Sequence, residues 1–132
     1  AVAGCDYVVH VASPFPKAKP KHEDELVRPA VDGTMNVLRA CANTNGKVRR
    51  VVLTSSIVSV GGHLVGFEED EEHPTLTETD WTDVTKADPY PKSKTLAERA
   101  AWRFVEELPD AMRFELVTMC PGFIIGPMLT RT

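Results

Sequence analysis

Val48-Arg49-Arg50-Val51-Val52-Leu53-Thr54 is a short run rich in β-branched residues, closed by Ser55-Ser56. It reads as a strand, and its continuous apolar residues predict burial on both faces, the habit of a strand inside a parallel sheet. On its N-terminal side, apolar residues recur at helical spacing from Leu26 to Ala42: Val27, Ala30, Val31, Thr34, Val37, Leu38 and Cys41. Pro29 falls near the start of that pattern, where a first turn tolerates proline. Asn43 to Gly46 supply the stop. Further upstream, Asp6-Tyr7-Val8-Val9-His10-Val11-Ala12 forms a second apolar run, ended by Ser13-Pro14-Phe15-Pro16 and a Lys- and Pro-rich stretch to about Glu25.

On the C-terminal side, Gly61-Gly62 and the acidic run Glu68-Glu69-Asp70-Glu71-Glu72 predict a long surface loop reaching to about Pro89, with the acidic residues solvated. A second helix is expected from Lys92 to Leu108, with Leu96, Ala97, Ala100, Ala101, Phe104 and Val105 on one face. Phe114 to Cys120 reads as a third strand, ended by Pro121-Gly122. Strand, helix, strand, helix, strand is the order of a parallel sheet with crossover helices, so the expected fold class is α/β, a partial doubly wound Rossmann-type sheet. Such sheets bind ligands outside the carboxyl ends of their strands. Ser13-Pro14, Ser55-Ser56 and Pro121-Gly122 all fall at those ends.

The chain has 132 residues, 42% hydrophobic and 26% charged, the balance of one small globular domain. A net charge of −4 argues against a nucleic-acid surface. No apolar run approaches the roughly 18–20 residues of a membrane span, and no leader pattern opens the sequence. The three cysteines, Cys5, Cys41 and Cys120, all lie in apolar stretches and are expected as buried reduced thiols of a cytoplasmic protein. No CxxC occurs and His10, His22, His63 and His73 are scattered, so no metal site is expected.

Tyr90-Pro91-Lys92-Ser93-Lys94 opens the second helix, and Tyr90 and Lys94, four apart, share one helical face. A phenol with a pKa of about 10 is a poor acid–base group near neutrality. A neighbouring ammonium favours the phenolate and brings the group toward a working range. Ser56, at the end of the central strand, is placed to hold a carbonyl oxygen beside the tyrosine. YxxxK by itself is common on helix surfaces; the order of Thr54-Ser55-Ser56 at a strand end, then Tyr90-x-x-x-Lys94, then Pro121-Gly122 is far more specific.

In that order the chain resembles the extended short-chain dehydrogenase/reductase family, and within it the dihydroflavonol 4-reductase, cinnamoyl-CoA reductase and 3β-hydroxysteroid dehydrogenase-like group. The resemblance is carried by His10-Val11-Ala12-Ser13-Pro14, by residues 31–38 (VDGTMNVL), by residues 50–56 (RVVLTSS), by residues 90–98 (YPKSKTLAE) and by residues 121–127 (PGFIIGP). It implies NAD(P)H-dependent reduction of a small carbonyl compound, or oxidation of an alcohol, by hydride transfer, with NADP(H) ahead of NAD(H). It further implies Tyr90 as general acid, Lys94 as the residue that lowers the Tyr90 pKa and binds the nicotinamide ribose, and Ser56 as the serine that orients the substrate oxygen. Val11, Ala12 and Ser13 would lie along the cofactor, and Pro121, Gly122, Phe123 and Ile124 would pack under the nicotinamide. Some relatives use an asparagine on the first helix as a relay; Pro29-Ala30 stands there.

Ser55 reads as a strand-end cap bonded to local backbone, His10 as a satisfied core histidine, and Trp81 and Trp102 as packing residues, with Trp81 near enough in sequence to Tyr90 to reach a substrate. Two other readings stand beside the reductase: a non-catalytic member that senses cofactor or binds a partner, and a nucleotide-sugar epimerase or dehydratase. The glycine-rich phosphate turn of the family has no counterpart here, since Gly4 is the only glycine among the first 32 residues. Residues 1–132 are therefore expected to be the central and catalytic part of one NAD(P)-binding domain, beginning just before the family's fourth strand and stopping soon after its sixth. The isolated 132-residue polypeptide is expected to self-associate through the edge of its first strand and to bind little NAD(P)H. A fluorescence titration checks this, and a micromolar dissociation constant would contradict it.

Overall fold

The computed structural model describes residues 2–15, 18, 20–62 and 75–127. The acidic run at 68–72, together with His63 and His73, lies outside the described residues. Three strands, β1 (Tyr7–His10), β2 (Arg50–Thr54) and β3 (Glu115–Met119), form a parallel sheet in the order β1-β2-β3. Val8, Val51 and Leu116 stand in one row, and Val9, Val52 and Val117 in the next. Helix α1 (Asp24–Ala42) links β1 to β2. A short helix α2 (Ile57–Gly61) follows β2, and α3 (Pro89–Glu106) precedes β3, with a 3-10 turn at Asp110–Met112 between them.

The α/β crossover pattern holds, and the differences have local causes. Helix α1 starts at Asp24, so Pro29 sits inside it rather than in its first turn. The amide that Pro29 lacks would have bonded the Glu25 carbonyl, and both residues are exposed. Asn45 and Gly46 take positive φ, 53° and 77°, and turn the chain out of α1. Helix α3 begins at Pro89, earlier than its apolar stripe suggests. Pro89 and Pro91 both fall in the first turn, where backbone amides have no partner within the helix. Helix α2 escapes the sequence pattern because Ile57, Val58 and Val60 are β-branched, and the Ser56 cap is the only start signal.

One face of the sheet carries the core. Val51, Leu53 and Leu116 pack there against Leu38 and Cys41 of α1 and Ala101 of α3. The alternate residues point the other way, and among the described residues no helix covers them. Tyr7 is 58% exposed, Val9 66% and Met119 56%, while Val52 and Val117 are half-buried. The two-sided burial expected of β2 is therefore not met within these residues, because α1 and α3 share one side of the sheet. Of the cysteines, Cys41 is buried, whereas Cys5 and Cys120 are only half-buried. No helix among the described residues is long and apolar enough to cross a membrane.

Leu38 has no exposed surface. Replacing it with Ala is expected to destabilise the full-length protein by about 2–5 kcal/mol, measured by urea denaturation, and a loss below about 1 kcal/mol would show that this face is not the core.

Candidate functional site

Parallel pairing brings the carboxyl ends of all three strands to one edge of the sheet. Val11, Ala12 and Ser13 leave β1 there, all exposed. The segment after β3 is joined to the start of α2 by backbone bonds. Ser55 N donates to Met119 O at 2.7 Å, and Ile57 N donates to Pro121 O at 3.1 Å. Pro121 is half-buried, while Gly122, Phe123 and Ile124 are exposed. Between these segments, Ser56 caps α2, its Oγ accepting from Val58 N at 3.4 Å. Its own hydroxyl hydrogen meets no acceptor among the described residues.

Tyr90 and Lys94 lie in the first turns of α3. Lys94 is 6% exposed, and its Nζ donates to the Thr54 carbonyl at 3.0 Å. That bond fixes α3 against the end of β2, two residues from Ser56. Burial lowers the Lys94 pKa, while the charges of Glu98 and Cys120 act in the opposite sense. Helix side chains fold back onto the first turn: Ser93 Oγ donates to Tyr90 O at 2.7 Å and Thr95 Oγ1 to Pro91 O at 2.8 Å. The Phe15 ring meets the Tyr90 ring edge-on, with centroids 5.3 Å apart. The same turn is clamped from outside by the Lys92–Glu23 ion pair at 2.8 Å.

Thr82, fully buried, ties α2 to the segment before α3. Its Oγ1 donates to Val58 O at 2.7 Å and accepts from Gly62 N at 2.6 Å. A Cβ at Gly62 would lie 2.8 Å from Cβ of Pro91. Neither contact has a sequence signal, since both join segments far apart in the chain.

Two readings from sequence change. Ser55 is no local cap: its Oγ donates to Glu98 and lies 3.2 Å from Ser59 Oγ. His10 is buried, as expected of a core histidine, yet its Nε2 has no hydrogen-bond partner among the described residues. Burial, and then the Lys94 charge, lower its pKa. Trp81 stacks under Arg99, 5.1 Å from ring centroid to guanidinium, and lines a groove with Trp102, Ile57 and Cys120 that includes neither Tyr90 nor Lys94. Trp102 packs against the core as expected. Glu98, buried beside these residues, was not separated by its sequence from an ordinary helix-surface acid.

A parallel α/β sheet with a Tyr-x-x-x-Lys helix start against the central strand end defines the Rossmann-type class of the extended short-chain dehydrogenase/reductases. The chain belongs to the 3-beta hydroxysteroid dehydrogenase/isomerase family, which it matches over residues 1–132. It is 40% identical to an anthocyanidin reductase of Vitis vinifera over 136 residues, covering 98% of this chain and 38% of that protein. It is 44% identical to tetraketide alpha-pyrone reductase 1 of Arabidopsis thaliana over 133 residues, with the same coverage of 98% and 38%. Among solved structures it superposes on yeast methylglyoxal/isovaleraldehyde reductase Gre2 complexed with NADPH, with a TM-score of 0.81, 34% identity, and coverage of 95% of this chain and 38% of that one. The chain thus spans about two fifths of the length of these relatives.

The buried, neutral-favouring His10 sets an expectation for acid stability. Its folded-state pKa lies below the ordinary 6.5, so its contribution is complete above 6.5 and is lost as pH falls through the lowered value. His10→Leu is expected to flatten the loss of stability between roughly pH 7 and pH 5 relative to the parent protein, read from urea midpoints. Identical slopes would show that His10 protonates freely in the fold.

Proposed function

We propose that residues 1–132 form the central and catalytic part of an NAD(P)-binding domain whose enzyme reduces a small-molecule carbonyl, or oxidises the corresponding alcohol. In this reading the enzyme is cytoplasmic, uses NADPH ahead of NADH, and takes neither nucleic acid nor membrane as a partner. The observation that carries the proposal is the Lys94 Nζ bond to the Thr54 carbonyl, which joins the Tyr90 helix to the strand end bearing Ser56. Support comes also from the relatives: an anthocyanidin reductase, a tetraketide alpha-pyrone reductase and a methylglyoxal/isovaleraldehyde reductase complexed with NADPH.

The residues present fit the nicotinamide end of such a cofactor. Val11 to Ser13 leave open backbone at the sheet edge, and Phe123 and Ile124 offer uncovered apolar surface, 101% and 86% exposed. An ammonium carries three donors, and within the described residues Lys94 Nζ has Thr54 O as its acceptor, which leaves donors for a ribose hydroxyl. When bound, the nicotinamide supplies the hydride. Tyr90 gives its phenolic proton to the carbonyl oxygen as that oxygen gains charge. The Lys94 ammonium, one turn away, stabilises the phenolate left behind. Ser56 directs its free hydroxyl hydrogen at the same oxygen and fixes the carbonyl for attack.

The test is NADPH and NADH consumption by the full-length protein with methylglyoxal, isovaleraldehyde and a panel of larger carbonyl compounds. Tyr90→Phe is expected to cut turnover by about 10²–10⁴-fold with the fold retained by circular dichroism. Undiminished turnover in Tyr90→Phe overturns the assignment. Conversion of a UDP-sugar without net cofactor consumption moves the protein to the epimerase branch.

A further inference from the structure

Glu98 lies one helical turn beyond Lys94 on α3 and is 5% exposed. A carboxylate at that depth is costly unless hydrogen bonds and opposite charge compensate it. Here the compensation comes from several elements at once. Ser55 Oγ, at the end of β2, donates to Oε2. Ser59 Oγ of α2 donates to the same oxygen at 2.7 Å. Trp102 Nε1 donates to Oε1 at 3.4 Å, and Cys120 Sγ, just past β3, lies 3.9 Å from Oε2. Ser59 Oγ also lies 2.7 Å from the Ser56 carbonyl, a second acceptor for its one hydroxyl hydrogen, so the cluster reaches the backbone of Ser56.

The charges around Lys94 are unevenly arranged. From its own helix it faces Glu98, from the exit of β3 it faces the Cys120 thiol, and from β1 it faces His10. Burial disfavours both a charged His10 and a thiolate at Cys120. Of the three, Glu98 is the group whose charge most favours the Lys94 ammonium.

We propose that Glu98 is a positioning residue of this centre: its buried carboxylate holds the Ser55-Ser56 strand end and sustains the Lys94 ammonium, acting on the reaction through Lys94 and Ser56 without touching substrate. The inference rests on the reductase reading for its kinetic half and on the structure alone for its electrostatic half. A neutral, isosteric side chain would keep the packing and lose the charge. A shorter acid would keep the charge and pull it away from Ser55 and Ser59.

The experiment uses the full-length protein, with Glu98→Gln, Glu98→Asp and Ser55→Ala, each checked by circular dichroism. The first readout needs neither cofactor nor substrate: the titration of Lys94 followed by NMR of ¹⁵N-lysine-labelled protein, assigned with Lys94→Arg. In Glu98→Gln, Lys94 is expected to lose its proton about one pH unit earlier or more; in Glu98→Asp it is expected to titrate near the parent value. The second readout is NADPH-dependent turnover of isovaleraldehyde. Glu98→Gln is expected to lower kcat about tenfold or more, with KM values changed less than about twofold. Ser55→Ala is expected to lower kcat while leaving the Lys94 titration in place, and this variant decides the structural half should Glu98→Gln fail to fold. An unshifted Lys94 in folded Glu98→Gln, or parent-like kcat in both Glu98→Gln and Ser55→Ala, overturns the Glu98 inference. Parent-like turnover in Tyr90→Phe overturns the reductase reading instead, and leaves the Lys94 titration to decide Glu98 by itself.

Discussion

A lysine ammonium withdrawn from water must find acceptors and a countercharge in the protein, and Lys94 finds its acceptor at the carbonyl of Thr54. That single bond joins a helix to the end of a strand 40 residues earlier. The parallel sheet supplies the need for it. The Thr54 carbonyl at the strand end needs a donor, and the helix start needs a tie to the sheet beyond the Lys92–Glu23 ion pair. Lys94 meets both requirements, and the turn that carries Tyr90 is set by the same contact. Around it, the Glu98 network holds β2, α2 and the exit of β3 together, and the Ser93 and Thr95 hydroxyls close the first carbonyls of α3.

The alternation of strands and helices was legible because each element carries its own period: continuous apolar runs at Val51 to Leu53 and Leu116 to Val117, and a helical stripe through Thr34, Leu38 and Cys41. Tyr90 and Lys94 were legible for the same reason, since a spacing of four on one helix fixes a shared face. What escaped was whatever depends on distant residues. Ser55 looks like a cap in sequence because serine bonds its own backbone well; only the fold brings Glu98 within reach of it. Helix α2 is written in β-branched residues and exists because its ends are held, by the Ser56 cap and by Thr82. The unpartnered Nε2 of His10 is equally invisible to pattern, since an apolar strand offers no sign of where its one polar atom will point.

Burial on the sheet is one-sided among the described residues, and this separates two roles within each strand. Val8, Val51 and Leu116 build the core with α1 and α3, while Val9, Val52 and Val117 form an apolar row on the opposite face. The first set answers to packing density, so a lost methylene there is felt directly. The segments that carry the candidate site residues lie at neither face but at the strand ends, where backbone groups leave the ladder.

The contact between Gly62 and Pro91 gives the centre a hard stop. Protein interiors resist compression, and with 2.8 Å between a would-be Cβ and the proline ring carbon, the end of α2 rests on the ring next to Tyr90 with no side chain to act as a spring. The approach of the Tyr90 turn to the end of α2 is therefore limited by a proline ring against glycine backbone, with the Thr82 side chain packed beside them. Any sequence that keeps this geometry has its freedom to vary at position 62 reduced to almost nothing, although that residue bears no functional group at all.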